Sequence, residues 1–452
     1  MTESLAFDGA ALPALVEPRS ARAPRAVAGA LANGLTTFVV RRPTVPMAEI
    51  RLRIPMPPAN SRTAVASTAR ASLMSSSMLF GTARRDQEQL ARDLAAVGAD
   101  VSVSIDADRL LVSTAVLRTG LSTVLELLSE ILTSASYPSP EVSAERDRLG
   151  QRISMALTQP SVVARMARAR RLFGDHPYAQ ALPDPTAVAA LDAATLRRVH
   201  RERVRPLGAT LVVVGDVSAA TVAKQAQAAF ARWGDEGSRT RSMAALPPYE
   251  ATGITLVDRP GAVQSNIRWG GAAVGRADPH YAALKLANLI FGGYFSSRLT
   301  ENLRERNGFT YSPHSGIDNH AAGSTMNVDA DVASAVTARA IHETWYELGR
   351  MALTPVSQDE LDSARRYATG TLALSTATQS GLASTLSSLT GQGLAPSWLA
   401  DHQKALARIS LDDIQAVSRR YLAVSALATV VVGDADLVRA SLETLAPVWD
   451  PV

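Results

Sequence analysis

The chain of 452 residues contains no cysteine, which excludes disulfide bonds, thiolate nucleophiles and zinc or iron–sulfur sites built on cysteine. Aromatic residues make up only 5%, and no Lys/Arg block is interleaved with them, so nucleic-acid binding is not expected. No apolar run approaches the roughly 18 to 20 residues that a membrane span needs. The excess of positive charge is small, since 46 Lys and Arg against 42 Asp and Glu leave +4.

The composition that remains is typical of a folded globular protein, with 46% hydrophobic and 19% charged residues. The length is that of about three ordinary domains. At the N-terminus, Glu3 and Asp8 stand where a secretory signal needs a basic segment followed by an apolar one. We therefore predict a loose leader over residues 1–25 and a cytoplasmic location.

An internal repeat is the most informative feature of the sequence. Residues 211–214 (LVVV) follow a helical stretch and end in Gly215-Asp216. Residues 428–432 (ATVVV) follow another helical stretch and end in Gly433-Asp434. Each run is short, apolar and rich in β-branched residues, which predicts a buried strand in both places.

Two further segments repeat in the same order. Residues 49–52 (EIRL) and 266–269 (NIRW) each precede a loop and then a helix that ends near Gly81 or Gly292. Next, a helical stretch leads through a glycine into residues 101–105 (VSVSI) in one copy and 309–312 (FTYS) in the other, and both are predicted as strands. Ordinary strand–helix repetition in an α/β protein is the alternative explanation of this similarity.

The repeat predicts an α+β protein of two similar halves, each a mostly antiparallel sheet packed with helices. We assign residues 26–233 to the N-terminal domain and 254–452 to the C-terminal domain. Residues 234–253 between them are rich in Gly, Ser, Pro and charge, the composition of a linker.

With these segments in order, the sequence resembles the inverzincin zinc peptidases, the family of pitrilysin, insulin-degrading enzyme and mitochondrial processing peptidase. The resemblance covers nearly the whole chain and includes residues 32–35 (ANGL), 80–82 (FGT), 174–178 (GDHPY), 214–217 (VGDV) and 295–299 (FSSRL). It implies the fold of mitochondrial processing peptidase, in which paired chains close as a clamshell around a peptide.

The family's catalytic signature is H-x-x-E-H, in which two histidines bind zinc and the glutamate acts as base. In this register the three positions are Leu73, Ser76 and Ser77, none of which can hold zinc. The family's third ligand is a glutamate some 75 residues further on, and residues 148–158 contain no carboxylate. No two of the seven histidines stand three or four apart. We therefore predict no metal and no cofactor in this chain, with zinc on a partner chain.

The resemblance also implies a retained half of an active site. The family has an arginine and a tyrosine seven residues apart that face the zinc from the opposite half, and Arg304 and Tyr311 match this spacing. A guanidinium and a phenol can stabilise the negative charge that develops on a carbonyl oxygen. By residue type alone, an exposed helical arginine and a half-buried tyrosine are the simpler interpretation.

Four neighbouring residues, Gly292, Gly293, Phe295 and Ser296, resemble the family's glycine-rich loop beside the substrate channel; a simple turn is the alternative. We predict a non-catalytic, substrate-binding subunit of a heterodimeric zinc endopeptidase that processes peptides. It would be inactive alone and would act with a homologous H-x-x-E-H chain. The alternative is a catalytically silent scaffold or peptide-binding protein of the same fold, possibly a homodimer.

Overall fold

The computed structural model describes residues 24–58, 63–234 and 242–451. The predicted leader, residues 1–25, lies almost entirely outside the described residues, and so do residues 235–241 of the predicted linker. The described part of that linker, residue 234 and residues 242–253, contains no helix or strand.

The first half is built on a six-stranded sheet. Its strands are β1 (Ala26–Ala30), β2 (Thr36–Arg41), β3 (Met47–Pro55), β4 (Asp100–Ile105), β5 (Arg109–Leu117) and β6 (Thr210–Gly215). The strand order is β1-β2-β6-β3-β5-β4, and only the β2–β6 pair is parallel.

The second half repeats this sheet. Its strands are β7 (Ile254–Asp258), β8 (Gln264–Ala273), β9 (His314–His320), β10 (Gly323–Ala333), β11 (Ala428–Gly433) and β12 (Val448–Trp449). The order β12-β7-β11-β8-β10-β9 matches the first sheet strand for strand from β2 onwards. The two halves therefore share one topology, and the predicted α+β repeat is confirmed.

Helices cover both faces of each sheet. In the first half they are α1 (Ala64–Ser77), α2 (Gln87–Ala96), α3 (Leu121–Ser134), α4 (Ser139–Leu157), α5 (Pro160–Phe173), α6 (Pro185–Ala189), α7 (Ala193–Arg203) and α8 (Ala219–Phe230). In the second half they are α9 (Tyr281–Asn288), α10 (Arg298–Thr300), α11 (Thr337–Leu353), α12 (Gln358–Ser375), α13 (Gln379–Thr390), α14 (Trp398–Arg408), α15 (Leu411–Tyr421) and α16 (Ala435–Glu443).

The two apolar runs predicted as buried strands form the strands β6 and β11. Every residue of both strands is buried, because helices pack on both faces of the sheet at these positions. A strand buried on both sides reads as a continuous apolar run rather than an alternating one. This explains why the two runs were the clearest repeat in the sequence.

The halves are joined by an exchange of helices. Helix α5 of the first half packs on β8 and β11 of the second sheet, and α13 of the second half packs on β3 and β6 of the first sheet. Under α13, Val212 and Val214 form an apolar cluster with Leu382 and Leu386. Each half thus covers one face of the other half's sheet.

A smaller contact joins the tips of two β-hairpins. The Asp108 carboxylate, in the β4–β5 turn, accepts hydrogen bonds from the Tyr178 hydroxyl at 2.6 Å and from the Ala321 amide at 3.0 Å. The Ala322 amide donates to the same hydroxyl at 3.1 Å. Along the described ranges, no helix is both long and apolar enough to cross a membrane.

Candidate functional site

The three positions of the missing zinc signature lie in the last two turns of α1. Leu73 is fully buried in the core of the first half. The Ser76 hydroxyl donates to the Leu73 carbonyl oxygen at 3.3 Å, and the Ser77 hydroxyl is buried with no hydrogen-bond partner in the described structure. These side chains offer a hydrocarbon and two hydroxyls, which are not ligands that zinc prefers. The site does not fit the metal.

An ion-pair cluster lies beside these serines, on α4. Glu145 is only 6% exposed, and its carboxylate accepts hydrogen bonds from Arg152 at 2.6 Å and from Arg148 at 2.9 Å. Burial alone would raise the pKa of Glu145, but these hydrogen bonds, with a contribution from Ser76, lower it below its usual value. Arg152 stands 75 positions after Ser77, near the spacing at which the resemblance calls for the third zinc ligand.

Sequence reasoning missed Glu145, because it considered only residues 148–158. The available signal was the seven-residue spacing of Glu145 and Arg152, which puts both side chains on one face of α4 two turns apart. Across residues 24–58, 63–234 and 242–451, no group of three His, Asp or Glu side chains is arranged to hold a metal ion.

The second candidate region centres on Arg304. Its guanidinium carbon lies 4.7 Å from the centre of the Phe295 ring and 4.8 Å from the centre of the Tyr311 ring. We call Phe295, Arg304 and Tyr311 the arginine sandwich. Both rings are exposed to solvent, Phe295 at 67% and Tyr311 at 80%, so the group lies at the protein surface.

The edge of this guanidinium remains available. Its Nε lies 3.3 Å from a carboxylate oxygen of Glu305, and within the described residues no hydrogen bond engages the two terminal nitrogens. An arginine stacked on aromatic faces keeps its in-plane N–H groups free to donate. The arrangement can therefore present two directed donors to an acceptor arriving from solvent.

Local structure explains why these three residues meet. Phe295 belongs to the turn before α10, whose first turn is capped by the Ser297 hydroxyl. The Arg298 guanidinium fixes this turn to α12 through two hydrogen bonds to the Glu360 carboxylate, at 2.6 and 2.9 Å. Tyr311 follows Gly308, which takes a φ of +63° that glycine adopts without strain.

Two π-helical turns bracket the same turn. One covers Leu289–Gly293 and the other Glu301–Arg306, and Arg304 lies on the second. π-Helical turns are rare and occur frequently at functional sites, because the extra residue redirects the side chains that follow. Their presence on both sides of Phe295 supports a functional reading of this region.

The four residues predicted to form the loop beside the substrate channel differ in their exposure to solvent. Phe295 and Ser296 are exposed, whereas Gly292 is buried. A Cβ on Gly292 would lie 2.8 Å from the Ser315 hydroxyl oxygen, and one on Gly293 would lie 2.7 Å from the Asn288 side-chain nitrogen. Close packing accounts for both glycines, on β9 for Gly292 and on the preceding helix turn for Gly293. Their contact with substrate stays a prediction.

The strand predicted over residues 309–312 is wrong. Strand β9 begins only at His314, and residues 309–313 form an irregular segment. The Phe309 amide donates to the Leu303 carbonyl oxygen at 2.8 Å, which closes the preceding helix end and keeps residue 309 out of the sheet. Phe309 and Thr310 are buried, whereas Tyr311 and Ser312 are exposed, so the burial of this segment does not alternate as in a half-buried strand.

Comparison with known proteins matches the two candidate regions to two different family models. Residues 71–186, which include the degenerate zinc positions, match the family described as "Insulinase (Peptidase family M16)". Residues 190–367, which include the arginine sandwich, match the "Peptidase M16 inactive domain". The chain belongs to the M16 peptidase family.

M16 relatives extend along most of the chain. A protein of Mycobacterium tuberculosis (strain ATCC 25618 / H37Rv) described as an uncharacterized zinc protease is 24% identical over 422 residues, covering 90% of this chain and 92% of its own. A protein of the same description from Streptomyces coelicolor is 26% identical over 248 residues, 53% of either chain.

Solved structures show the M16 fold. A peptidase M16 inactive domain from Pseudomonas fluorescens superposes with a TM-score of 0.84 at 22% identity, covering 90% of this chain and 98% of that one. A protease from Helicobacter pylori gives a TM-score of 0.81 at 17% identity, covering 91% and 100%. At these identities the likeness establishes the fold alone.

Proposed function

We propose that this chain is the non-catalytic, substrate-binding subunit of a heterodimeric zinc endopeptidase. The arginine sandwich would act on a peptide bond held at the zinc of a homologous H-x-x-E-H chain. The one observation that carries the proposal is the geometry of Arg304, a guanidinium that contacts two aromatic rings while its terminal nitrogens stay unpaired in the described structure. An arginine serving only to solvate a helix would not need two aromatic partners.

The chemistry required is charge stabilisation at a carbonyl oxygen. When water adds to a peptide carbonyl, that oxygen becomes negatively charged, and donors already aimed at it stabilise the transition state more than the ground state. Arg304 would supply a charged donor and the Tyr311 hydroxyl a neutral one. Because stacking restricts the arginine before substrate arrives, little of its conformational freedom remains to be lost on binding.

The partner is needed because α1 cannot supply the remaining half of the site. Leu73 is apolar and fully buried, and the Glu145 carboxylate is already occupied by Arg148 and Arg152. We propose that the zinc, its ligands and the catalytic base belong to the partner. In this assignment the chain itself carries no cofactor, contacts neither nucleic acid nor membrane, and works in the cytoplasm.

Peptide binding would use main-chain hydrogen bonds. Among the described residues, the edge strand β4 pairs with β5 alone and the edge strand β9 with β10 alone. Strand β9 begins three residues after Tyr311. An extended peptide can add to such an edge, which gives affinity with little sequence preference. Ser296 and the outer faces of Phe295 and Tyr311 would then contact its side chains.

Reconstitution tests this proposal. The chain alone should not cleave a fluorogenic peptide, with or without added zinc. Co-expression with an H-x-x-E-H homologue from the same genome, an adjacent gene product first, should yield a complex on size exclusion and zinc-dependent cleavage. If every H-x-x-E-H chain of that genome neither binds this protein nor gains activity from it, the proposal fails.

The second candidate is a catalytically silent scaffold or peptide-binding protein of the same fold, possibly a homodimer. The replacement of all three α1 positions together is the observation that favours it. It predicts a stable homodimer and peptide binding that a chelator does not change. The two candidates differ in one measurement, because only the first predicts cleavage in a mixture with a zinc-bearing chain.

A further inference from the structure

The exchanged helices α5 and α13 occupy equivalent positions, but the sheet faces beside them are filled differently. Beside α13, two side chains of β2, Phe38 and Val40, belong to an apolar cluster that also includes Leu394, Trp398 and Leu399. These three residues belong to the segment that follows α13 and the start of α14. The apolar face of the first sheet is therefore closed by bulky side chains.

The corresponding face of the second sheet is open. Strand β7 pairs with β11 as β2 pairs with β6, and the two registers make Thr255 and Val257 the counterparts of Phe38 and Val40. These two residues line a cavity of about 910 Å³ between α5 and the sheet edge. The segment that follows α5 contributes Ala179, Gln180, Ala181 and Leu182 to the cavity wall and leaves the cavity unfilled.

The same place also lacks strand pairing. In the first half, β1 pairs with all five residues from Thr36 to Val40. In the second half, β12 pairs only with Ile254 and Thr255. Beyond Thr255, the outer edge of β7 has no partner strand among the described residues. Main-chain donors and acceptors at an unpaired edge favour an extended peptide over a small apolar molecule.

Charged side chains of both signs line this cavity. The α5 wall carries Arg170, whose side chain makes no hydrogen bond or ion pair in the described structure, and Arg171, which donates to the Thr252 carbonyl oxygen at 3.1 Å. Glu250 and Asp450 also line the cavity, and Asp450 is paired with Arg439. A segment with apolar side chains and both charged termini complements these walls.

We infer that this cavity, the α5 groove, binds an extended peptide segment with bulky apolar side chains. The inference rests on the internal symmetry and on the charges of the groove, and it is independent of the proposed peptidase role. The occupant is inferred to carry side chains like those that fill the equivalent place in the first half, where they come from turns and the start of α14. Residues 391–400 (GQGLAPSWLA), which carry Leu394, Trp398 and Leu399, therefore supply a probe.

The test measures binding of that unlabelled decapeptide, with both termini free, to the full-length chain by isothermal titration calorimetry. We expect saturable binding below about 1 mM, the range of weak specific association. Ala167→Phe places a ring in the groove and should abolish binding. Ala223→Phe, on the exposed face of α8, makes the same change elsewhere and should leave binding unaltered.

A surface variant keeps the test decisive if Ala167→Phe folds poorly. Arg170→Glu reverses a charge at the groove wall without entering the core and should weaken binding about two- to fivefold. The inference is overturned if the wild-type chain does not bind the peptide, or if folded Ala167→Phe binds it normally. It is also overturned if a small apolar dye saturates the groove while the peptide does not compete.

Discussion

Arg51 and Arg268 make the same backbone contact in the two sheets. Each donates from Nη1 to the carbonyl oxygen of the preceding isoleucine, Ile50 or Ile267, at 2.9 Å. Both arginines are nearly buried, at 8% and 4% exposure, under the helix that the other half contributes. The internal repeat therefore extends from strand order to individual buried charges.

The carboxylates beside the two arginines have nevertheless diverged. Arg51 pairs with Glu49 of its own strand at 3.0 Å, whereas Arg268 pairs with Asp331 of the neighbouring strand at 2.7 Å. A buried guanidinium needs a compensating charge, but the strand that supplies it is free to change. The candidate sites of the two halves have diverged further. The first half has the ion-pair cluster around Glu145 on α4, and the second half has the arginine sandwich at the surface.

The first prediction concerns Arg304 and Tyr311 in the reconstituted complex. Removing one preorganised donor from a developing oxyanion costs about 10²- to 10³-fold in kcat, so Arg304→Ala and Tyr311→Phe should each fall in this range. The measurement is steady-state cleavage of a fluorogenic peptide. Arg420→Ala serves as the control, because Arg420 also lies over a tyrosine ring but on α15, outside the site. Unchanged kcat in both site variants would refute the assigned roles.

The second prediction separates positioning from contact at Phe295. An exposed cation–π contact is worth about 0.5 to 1 kcal/mol, so Phe295→Leu should lower kcat about two- to fivefold through a looser Arg304. Phe295→Tyr keeps a ring and should retain activity. A change in KM alone would instead assign Phe295 to substrate binding. The Arg304 Nε–H resonance gives a check without the partner, since loss of one ring should shift it downfield.

The third prediction concerns the ion-pair cluster on α4. Glu145→Gln keeps the shape but removes the charge that two arginines share, and we expect a loss of about 1 to 3 kcal/mol in the free energy of unfolding. Glu88→Gln breaks an exposed i,i+4 pair with Arg92 and should cost no more than about 0.5 kcal/mol. Urea denaturation compares the two. Equal losses would show that the cluster stabilises no more than a surface pair.

The fourth prediction concerns acid stability. Burial alone would raise the pKa of Glu360, but hydrogen bonds from Arg298 and from the Ser357 amide lower it to about 2, against an ordinary value of 4.5. A depressed folded-state pKa stabilises the native state above the unfolded value, and this contribution is lost as pH falls through the folded value.

The difference in unfolding free energy between wild type and Glu360→Gln should therefore be constant from neutral pH to about pH 5.5. It should shrink progressively between pH 4.5 and 2. Urea titrations at four pH values in this range measure it. A difference that does not vary with pH would show that the Arg298–Glu360 pair contributes through shape rather than charge.

The sequence predicted the architecture well, because the repeat lies in strands buried on both faces. Continuous apolar runs such as those of β6 and β11 cannot be confused with exposed segments. The exchange of α5 and α13 could not be predicted, because an amphipathic helix does not specify which sheet it covers. Only the three-dimensional packing decides between the two equivalent sheets.

The candidate site was predicted in part. Arg304 and Tyr311 were identified because their spacing matches that of a residue pair in the family that the sequence resembles. Their action on a peptide bond stays a prediction. Stacking of Phe295 on Arg304 depends on two π-helical turns, which no simple periodicity reveals. Glu145 was not predicted, because it belongs to no motif. Its role in the ion-pair cluster depends on Arg148 and Arg152, which lie on the following turns of α4.

The helix exchange has a consequence for how the gene can be divided. A chain cut within the connecting segment would give two fragments. Each fragment would expose one apolar sheet face that the other fragment's helix normally covers, and each would carry one helix without its sheet. Such fragments should be insoluble when made separately and should recombine when made together, because each completes the other. Intact architecture thus depends on both gene segments being expressed at once.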